Sequence, residues 1–93
     1  MSYEWDPQKN AENVRKHGLS FEQAIRIFEN YVYEIIDDRE DYGETRWVSI
    51  GETQAREIVI VSTEGDGGAR RIISARHATK AERTRYWIER SQV

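Results

Sequence analysis

The chain has 93 residues, of which 38% are hydrophobic and 33% charged, and this length supplies one hydrophobic core and one domain spanning residues 1–93. The composition is too apolar and aromatic for a disordered chain and too charged for a membrane-embedded one. Cysteine is absent, which excludes disulfides, thiolate metal ligands and a thiol nucleophile. We therefore expect a soluble cytoplasmic domain that contacts no membrane.

Charge is distributed unevenly along the chain. Residues 1–68 contain seven Lys and Arg against fifteen Asp and Glu, a net charge of −8, whereas residues 69–93 contain seven against two, a net charge of +5. This split predicts that the C-terminal end faces a polyanion or an acidic partner. The alternative is that the basic residues of the last helix only form a solvated surface.

The first third of the chain carries the signals of two helices. Asp6 followed by Pro7 is typical of a helix start, and Gly18 after basic residues predicts its end. Ser20 opens a second helix with a capping box. Apolar residues in that helix are spaced i, i+3, i+4 and i+7, which predicts one stripe facing the core. The stripe consists of Phe21, Ala24, Ile25 and Phe28.

From Tyr31 onward the apolar pattern has a period of two, which predicts four strands. They cover residues 32–36, 45–50, 57–63 and 70–75, and residues 3–5 are a candidate for a short edge strand. The segment GETQAR connects the second to the third of these strands, and the glycine-rich stretch 65–68 makes the next hairpin. A capping box at Thr79 opens a last helix that ends near Arg90. The predicted fold is α+β, with the order β-α-α-β-β-β-β-α and an antiparallel-rich sheet.

The residue types available for chemistry are arginine, histidine, glutamate and the aromatic rings. The two histidines, His17 and His77, are sixty residues apart without metal-ligand spacing, and the sequence has no phosphate-binding glycine loop or nucleophile elbow. The set that remains suits RNA cleavage without a metal or other cofactor. In that reaction a base takes the proton of a ribose 2′-OH and guanidinium groups stabilise the charged phosphorane.

Arginines at the ends of two strands are the leading catalytic candidates. Strict alternation places Arg70 and Arg76 on the same face of the last strand. We expect Arg46 and Arg76 to converge on one phosphate, with Glu44 or His17 nearby as the group that transfers a proton. The alternative is that both arginines only form surface ion pairs and that the histidine only caps its helix.

More cations surround the junction between the last strand and the last helix, in the segment RIISARHATKAER of residues 71–83. Arg76 precedes the N-terminus of that helix, which itself attracts anions. The residues expected to contact RNA are Lys16, Arg71, Lys80 and Arg83. The alternative is that these cations meet the acidic side of a protein partner, and the two roles can coincide.

Three segments in a fixed order resemble the BrnT family of toxins. They are YEWDPQKNAENVRKHGLSFEQAIRIF at residues 3–28, YGETRWVSIG at 42–51 and RRIISARHATKAER at 70–83. The resemblance runs from Tyr3 to Tyr86. It departs from the family pattern at residues 64–68, where an acidic glycine-rich turn replaces a shorter basic one. That turn weakens the local attraction for RNA.

The resemblance implies a RelE-like fold, ribonuclease activity that halts translation, and an antitoxin partner. That partner would be a BrnA-like protein with a ribbon-helix-helix domain, through which the complex contacts operator DNA and represses its own operon. It also implies that Arg46 and Arg76 lie in family-like motifs. A second function remains open, in which the chain is a non-catalytic module that binds the antitoxin and acts as co-repressor.

Overall fold

The computed structural model describes residues 2–54 and 56–93, and within them the chain forms one five-stranded sheet with helices on both faces. The strands are β1 (Tyr3–Glu4), β2 (Tyr33–Ile36), β3 (Arg46–Thr53), β4 (Arg56–Glu64) and β5 (Arg70–His77). They lie in the order β1-β5-β4-β3-β2, in which β1 is parallel to β5 and all other neighbours are antiparallel. The predicted α+β class is confirmed.

The α-helices of the described residues are α1 (Pro7–His17), α2 (Phe21–Ala24) and α3 (Lys80–Arg90). Their ends follow the predicted caps. The Asp6 carboxylate accepts the N–H of Gln8 at 2.9 Å, and Gly18 ends α1 at a φ of +67°, where only glycine is free of strain. The capping boxes at the starts of α2 and α3 are both formed. None of the described helices is long and apolar enough to span a membrane.

The stripe predicted for the second helix is only partly correct. Helix α2 stops at Ala24 and the chain continues as a 3₁₀ helix at Ile25–Glu29. A 3₁₀ helix has about 3.0 residues per turn, so the buried positions are spaced by three and fall on Phe21, Ala24 and Ile27. Ile25 and Phe28 are partly exposed at the border of the core, and Ile27 takes the place expected for them.

Strands β3 and β4 extend further than the sequence predicts. The segment GETQAR was expected to be a connection, but pairing continues through it to Thr53 and Arg56. That prediction was wrong because main-chain hydrogen bonds do not require apolar side chains. Gly51 lies within this extension, and a Cβ there would stand 2.7 Å from the Cβ of Ile27. The glycine therefore lets the 3₁₀ helix pack directly on the sheet.

The first face of the sheet is covered by α1, α2 and the 3₁₀ helix. Its core consists of Leu19, Phe21, Ala24, Ile27, Ile58, Ile60, Ile72 and Ala75. The buried Asn13 of α1 adds a polar contact, because its amide pairs with both the N–H and the carbonyl of Ala75, at 3.2 and 2.7 Å. This side chain occupies main-chain groups at the edge of β5 that would otherwise lack a partner.

The second face is covered by α3, which buries a smaller core of Ile50, Val59, Ala78 and Tyr86. The Tyr86 ring is fully buried and its hydroxyl donates to the carbonyl of Tyr31. Ile50 and Val59 pair with each other across β3 and β4. Helix α3 therefore packs on only one end of this face.

A β-bulge in β5 changes which side chains share a face. Val61 pairs with Ser74 and Ser62 with Ile72, so that Ile73 is an extra residue between them. Arg70 consequently lies on the first face and Arg76 on the second. The prediction that these arginines share a face was wrong, because one additional residue inverts the alternation of a strand.

Candidate active site

The end of the second face that α3 leaves uncovered carries a row of uncharged, mostly aliphatic side chains. Register places Ile35, Val48, Val61 and Ser74 side by side across four strands. All four are partly or largely exposed. Arginines lie on both sides of this row. We call the row and its flanking residues Arg46, Arg71 and Arg76 the open face.

Arg46 and Arg76 lie on the open face but on opposite sides of the row. Arg46 pairs with Thr63 in the row beyond Val61, whereas Arg76 pairs with Val59 in the row before it. Four residues along the strands and two strand spacings separate their Cα atoms by roughly 16 Å. The two guanidinium groups are on one surface without touching each other.

Arg76 is held by a carboxylate of α3. Its Nη1 and Nη2 donate to the two oxygens of Glu82 at 2.7 and 2.9 Å. The same carboxylate accepts the N–H of Thr79 at 2.8 Å and so caps the helix. The hydrogen bonds from Arg76 lower the pKa of Glu82 to about 2, and the carboxylate raises the pKa of Arg76. The start of α3, expected to attract an external anion, already holds this internal one.

Arg46 is held at the other side of the row by the connection between β2 and β3. Its Nε lies 3.3 Å from Oε1 of Glu44, and its guanidinium stacks on the Tyr42 ring at 4.0 Å from the centroid. The Tyr42 hydroxyl in turn donates to Asp37 at 3.3 Å. Arg46 thus forms an ion pair with Glu44, and the Tyr42 ring fixes the plane of its guanidinium group.

Asp37 organises this connection, although no sequence pattern marks it as a functional residue. Its buried carboxylate accepts two hydrogen bonds from the Arg39 side chain, at 2.9 and 3.0 Å, and these lower the pKa of Asp37 to about 2. The Arg39 side chain is itself largely exposed, so it is a further cation on the connection that holds Arg46. Spacing gives no signal for it, because a run such as DDREDYGE resembles any solvated loop.

His17 and Lys16 lie at the end of α1, in the layer that covers the first face. With Ile73 and Ser74 they line a shallow cavity of about 210 Å³ at β5. Ser74 is the last member of the open row, so His17 lies beside the end of the open face. It is on the β5 side of the molecule, whereas Glu44 lies on the β3 side.

The remaining predicted RNA contacts do not form one surface. Arg71 is on the open face, where it pairs with Glu4 and approaches Asp66 at 3.9 Å. Lys80 and Arg83 line a groove of about 560 Å³ along the outer side of α3. The Arg83 guanidinium donates to the carbonyl of Ala78 at 3.1 Å. Among the described residues, no group of three or more His, Asp or Glu side chains is arranged to hold a metal ion.

Comparisons with known proteins agree with this architecture. A family model described as "Ribonuclease toxin, BrnT, of type II toxin-antitoxin system" matches residues 5–82. The crystal structure of the Brucella abortus ribonuclease toxin BrnT superposes with a TM-score of 0.64 and 26% sequence identity, covering 86% of this chain and 99% of that one. A search of curated protein sequences gave no significant match.

The fold and the family match define the class as a ribonuclease toxin of a type II toxin–antitoxin system. The match extends over most of the sequence, and the chain belongs to the BrnT family. The family predicted from the three sequence segments is confirmed. An antitoxin partner follows from the class.

Proposed function

We propose that RNA binds across the open face and that the chain cleaves it as a metal-independent endoribonuclease. The observation that carries this proposal is the placement of Arg46, Arg71 and Arg76 on both sides of an uncharged row. Guanidinium groups bind phosphate oxygens through two parallel hydrogen bonds. The acidic average of the chain does not oppose RNA binding, since counterion release depends on local cations.

In the proposed reaction the ribose 2′-oxygen attacks the adjacent phosphorus and the bond from phosphorus to the 5′-oxygen breaks. Arg46 and Arg76 stabilise the negative charge that develops on the phosphorane oxygens. Glu44 or His17 accepts the 2′-OH proton, and an acid supplies a proton to the leaving 5′-oxygen. Arg71 contacts a flanking phosphate on the open face, whereas Lys16, Lys80 and Arg83 would meet RNA only where it continues beyond that face.

Arg76 must exchange partners in this scheme. Its guanidinium is occupied by Glu82 in the free protein, so a phosphate replaces that carboxylate when RNA binds. Glu82 keeps its capping contact with Thr79 during the exchange. Removing the negative charge of Glu82 therefore favours RNA, whereas removing Arg76 disfavours the transition state.

The test compares three variants in single-turnover cleavage of an RNA substrate with EDTA present. Arg76→Ala should lower the cleavage rate about 10²-fold or more, on the scale of losing one oxyanion donor. Arg76→Lys should recover little of this, because an ammonium lacks the planar two-pronged contact. Glu82→Gln, which retains a capping side chain, should bind RNA as tightly as the parent or more tightly.

Three results would contradict the proposal. If Glu82→Gln lowers the rate as much as Arg76→Ala, Arg76 serves only to hold α3. Full cleavage by both Arg46→Ala and Arg76→Ala would move the active site away from the open face. Loss of cleavage on adding EDTA, restored by a divalent metal, would contradict metal independence.

We also propose that the antitoxin is a BrnA-like protein with a ribbon-helix-helix domain, and that the pair acts in the cytoplasm. The class supports an antitoxin, and the acidic sequence of residues 1–68 supports a separate protein for DNA contact.

Induced expression of the toxin should arrest growth, and co-expression of the antitoxin should relieve the arrest. Operator DNA should be shifted by the complex and not by the toxin alone. Antitoxin binding without any growth arrest would instead support a non-catalytic co-repressor.

A further inference from the structure

The two edges of the sheet differ in how they are protected. At one edge, β5 is covered by β1 and by the Asn13 amide. At the other edge, β2 pairs only with β3 within the described part of the chain. Natural proteins usually protect such an edge with lysine, proline or a bulge. Strand β2 (YEII) is short and has no lysine, proline or bulge, and its one charged side chain, Glu34, is engaged by Arg70.

The free edge of β2 offers main-chain groups in a defined pattern. The N–H of Asp37 donates to the carbonyl of Arg46 at 2.8 Å, so Asp37 points its main chain toward β3. Antiparallel pairing alternates along a strand. The N–H and carbonyl groups of Glu34 and Ile36 therefore face outward, where a further strand would meet them.

Side chains and charge around this edge specify what kind of strand fits. Ile35 and Ile36 point to opposite faces and are both exposed, the latter at 61%. The adjoining segment 37–44 contains five acidic residues and one arginine, a net charge of −4. Asp37 already holds this segment in place through Arg39 and Tyr42. An apolar strand with flanking lysine or arginine complements this surface.

We propose that β2 is the docking edge for the antitoxin, which adds an extended segment to the sheet. The segment carries apolar side chains against Ile35 and Ile36 and basic residues against the acidic segment 37–44. This inference rests on the proposed antitoxin partnership. Because Ile35 is also the first member of the open row, a strand added at β2 borders the open face and obstructs RNA.

The decisive variant removes one main-chain N–H that faces away from the sheet and leaves the pairing of β2 with β3 intact. Ile36→Pro deletes an N–H that faces away from β3, a position where proline is tolerated on edge strands. Ile36→Thr keeps the N–H and the β-branch but removes the apolar surface. The matched control is Ile88→Thr on α3, where the isoleucine is 49% exposed. Purified toxin variants are titrated with the cognate antitoxin, and thermal midpoints check folding.

We expect Ile36→Pro to weaken antitoxin binding at least tenfold, Ile36→Thr to weaken it several-fold, and Ile88→Thr to leave it unchanged. RNA cleavage by the free Ile36 variants should match the parent, since Ile36 lies on the opposite face from the arginines. Reversing charge with Asp38→Lys and Glu40→Lys together should slow association more at low salt than at high salt.

Hydrogen exchange on the parent complex supplies a readout that needs no variant. The amides of Glu34 and Ile36 should become protected when the antitoxin binds. Unchanged exchange there, or full affinity of a folded Ile36→Pro, would overturn the docking edge while leaving the toxin–antitoxin pairing intact. A dimer of the toxin alone that Ile36→Pro dissociates would assign the edge to a second copy instead. Failure of the parent toxin to bind the antitoxin would overturn the partnership itself.

Discussion

The two faces of the sheet use arginine differently, and β5 contributes Arg70 to the covered face and Arg71 and Arg76 to the open face. On the covered face, Arg70 makes a two-pronged contact with Glu34, at 2.6 and 3.3 Å, and donates to Ser62 at 3.2 Å. Its guanidinium also lies over the rings of Phe28 and Trp47. The Arg70 side chain is only 15% exposed, so its hydrogen-bonding capacity is consumed within the fold.

On the open face, Arg76 has a single carboxylate partner and is 39% exposed. The same residue type on the same strand thus stabilises the fold at one end and remains able to change partners at the other. The difference teaches that burial on every side, and not the presence of an ion pair, separates a structural arginine from one that a ligand can reach. The predictions that follow test this difference.

The largest expected effect concerns the apolar core of the covered face. Phe21→Ala should lower the free energy of unfolding by about 3–5 kcal/mol, because its ring is fully buried. Phe28→Ala should cost less, since Phe28 lies at the border of the core, although the sequence alone placed it inside. Urea unfolding measures both. Equal losses of unfolding free energy in the two variants would show that the 3₁₀ geometry does not decide which phenylalanine ring stabilises the core.

Arg70 and Arg76 should differ in how much each contributes to the free energy of unfolding. Arg70→Ala should cost about 2–3 kcal/mol of stability, below the ~3–5 kcal/mol of a fully buried pair because Glu34 retains some exposure. Arg76→Ala should cost at most about 1 kcal/mol, as expected for an exposed pair. Chemical denaturation, with cleavage assayed in parallel, checks this. A larger stability loss for Arg76→Ala would make that arginine structural.

Two glycines provide a paired test of close packing on the covered face. Gly51→Ala should cost about 1–3 kcal/mol, because the new methyl group would clash with the rigid Cβ of Ile27. Gly65→Ala is the control. Its new methyl group would meet only the flexible end of the Glu4 side chain, which can move aside. Thermal unfolding should show a lower midpoint for the first variant and little change for the second.

The smallest effect is the acid dependence of the open-face ion pair. Hydrogen bonds from Arg76 hold the folded-state pKa of Glu82 near 2, against an ordinary value of 4.5. A lowered pKa contributes stability above about pH 4.5 that is lost as the pH falls toward 2. Glu82→Gln should therefore reduce the loss of stability between pH 5 and pH 3 relative to the parent, measured by thermal midpoints. An unchanged pH profile would show that the pair adds no stability.

The order of elements could be predicted because its signals are local. Helix caps at Asp6, Ser20 and Thr79 act on the nearest turn of backbone, and all three form as expected. The glycine-rich turn before β5 likewise adopts positive φ at Gly67 and Gly68. Such features depend on a few consecutive residues, so the sequence contains what is needed to infer them.

Two features depend on contacts between distant residues and could not be predicted. They are the face on which each side chain of β5 lies and the carboxylate that pairs with Arg76. Ile72 and Ile73 are consecutive isoleucines, so the sequence does not show which of them is the extra residue of the bulge. Glu82 was assigned to a helix cap, which it forms, yet its second contact with Arg76 requires the strand-to-helix turn to be known. The catalytic assignments therefore remain predictions.

The bulge at Ile73 also affects the shape of the open face. With Ile73 omitted, Arg71, Ile72, Ser74, Ala75 and Arg76 alternate regularly between the two faces. Because Ile73 is the extra residue, Arg70 lies on the first face and Arg71 and Arg76 on the second, and the bulge also adds a local bend and twist to the strand. The open face therefore bends between Arg71 and Arg76, which lie on either side of the bulge. A chain shortened by this one residue would keep the charges and lose the curvature.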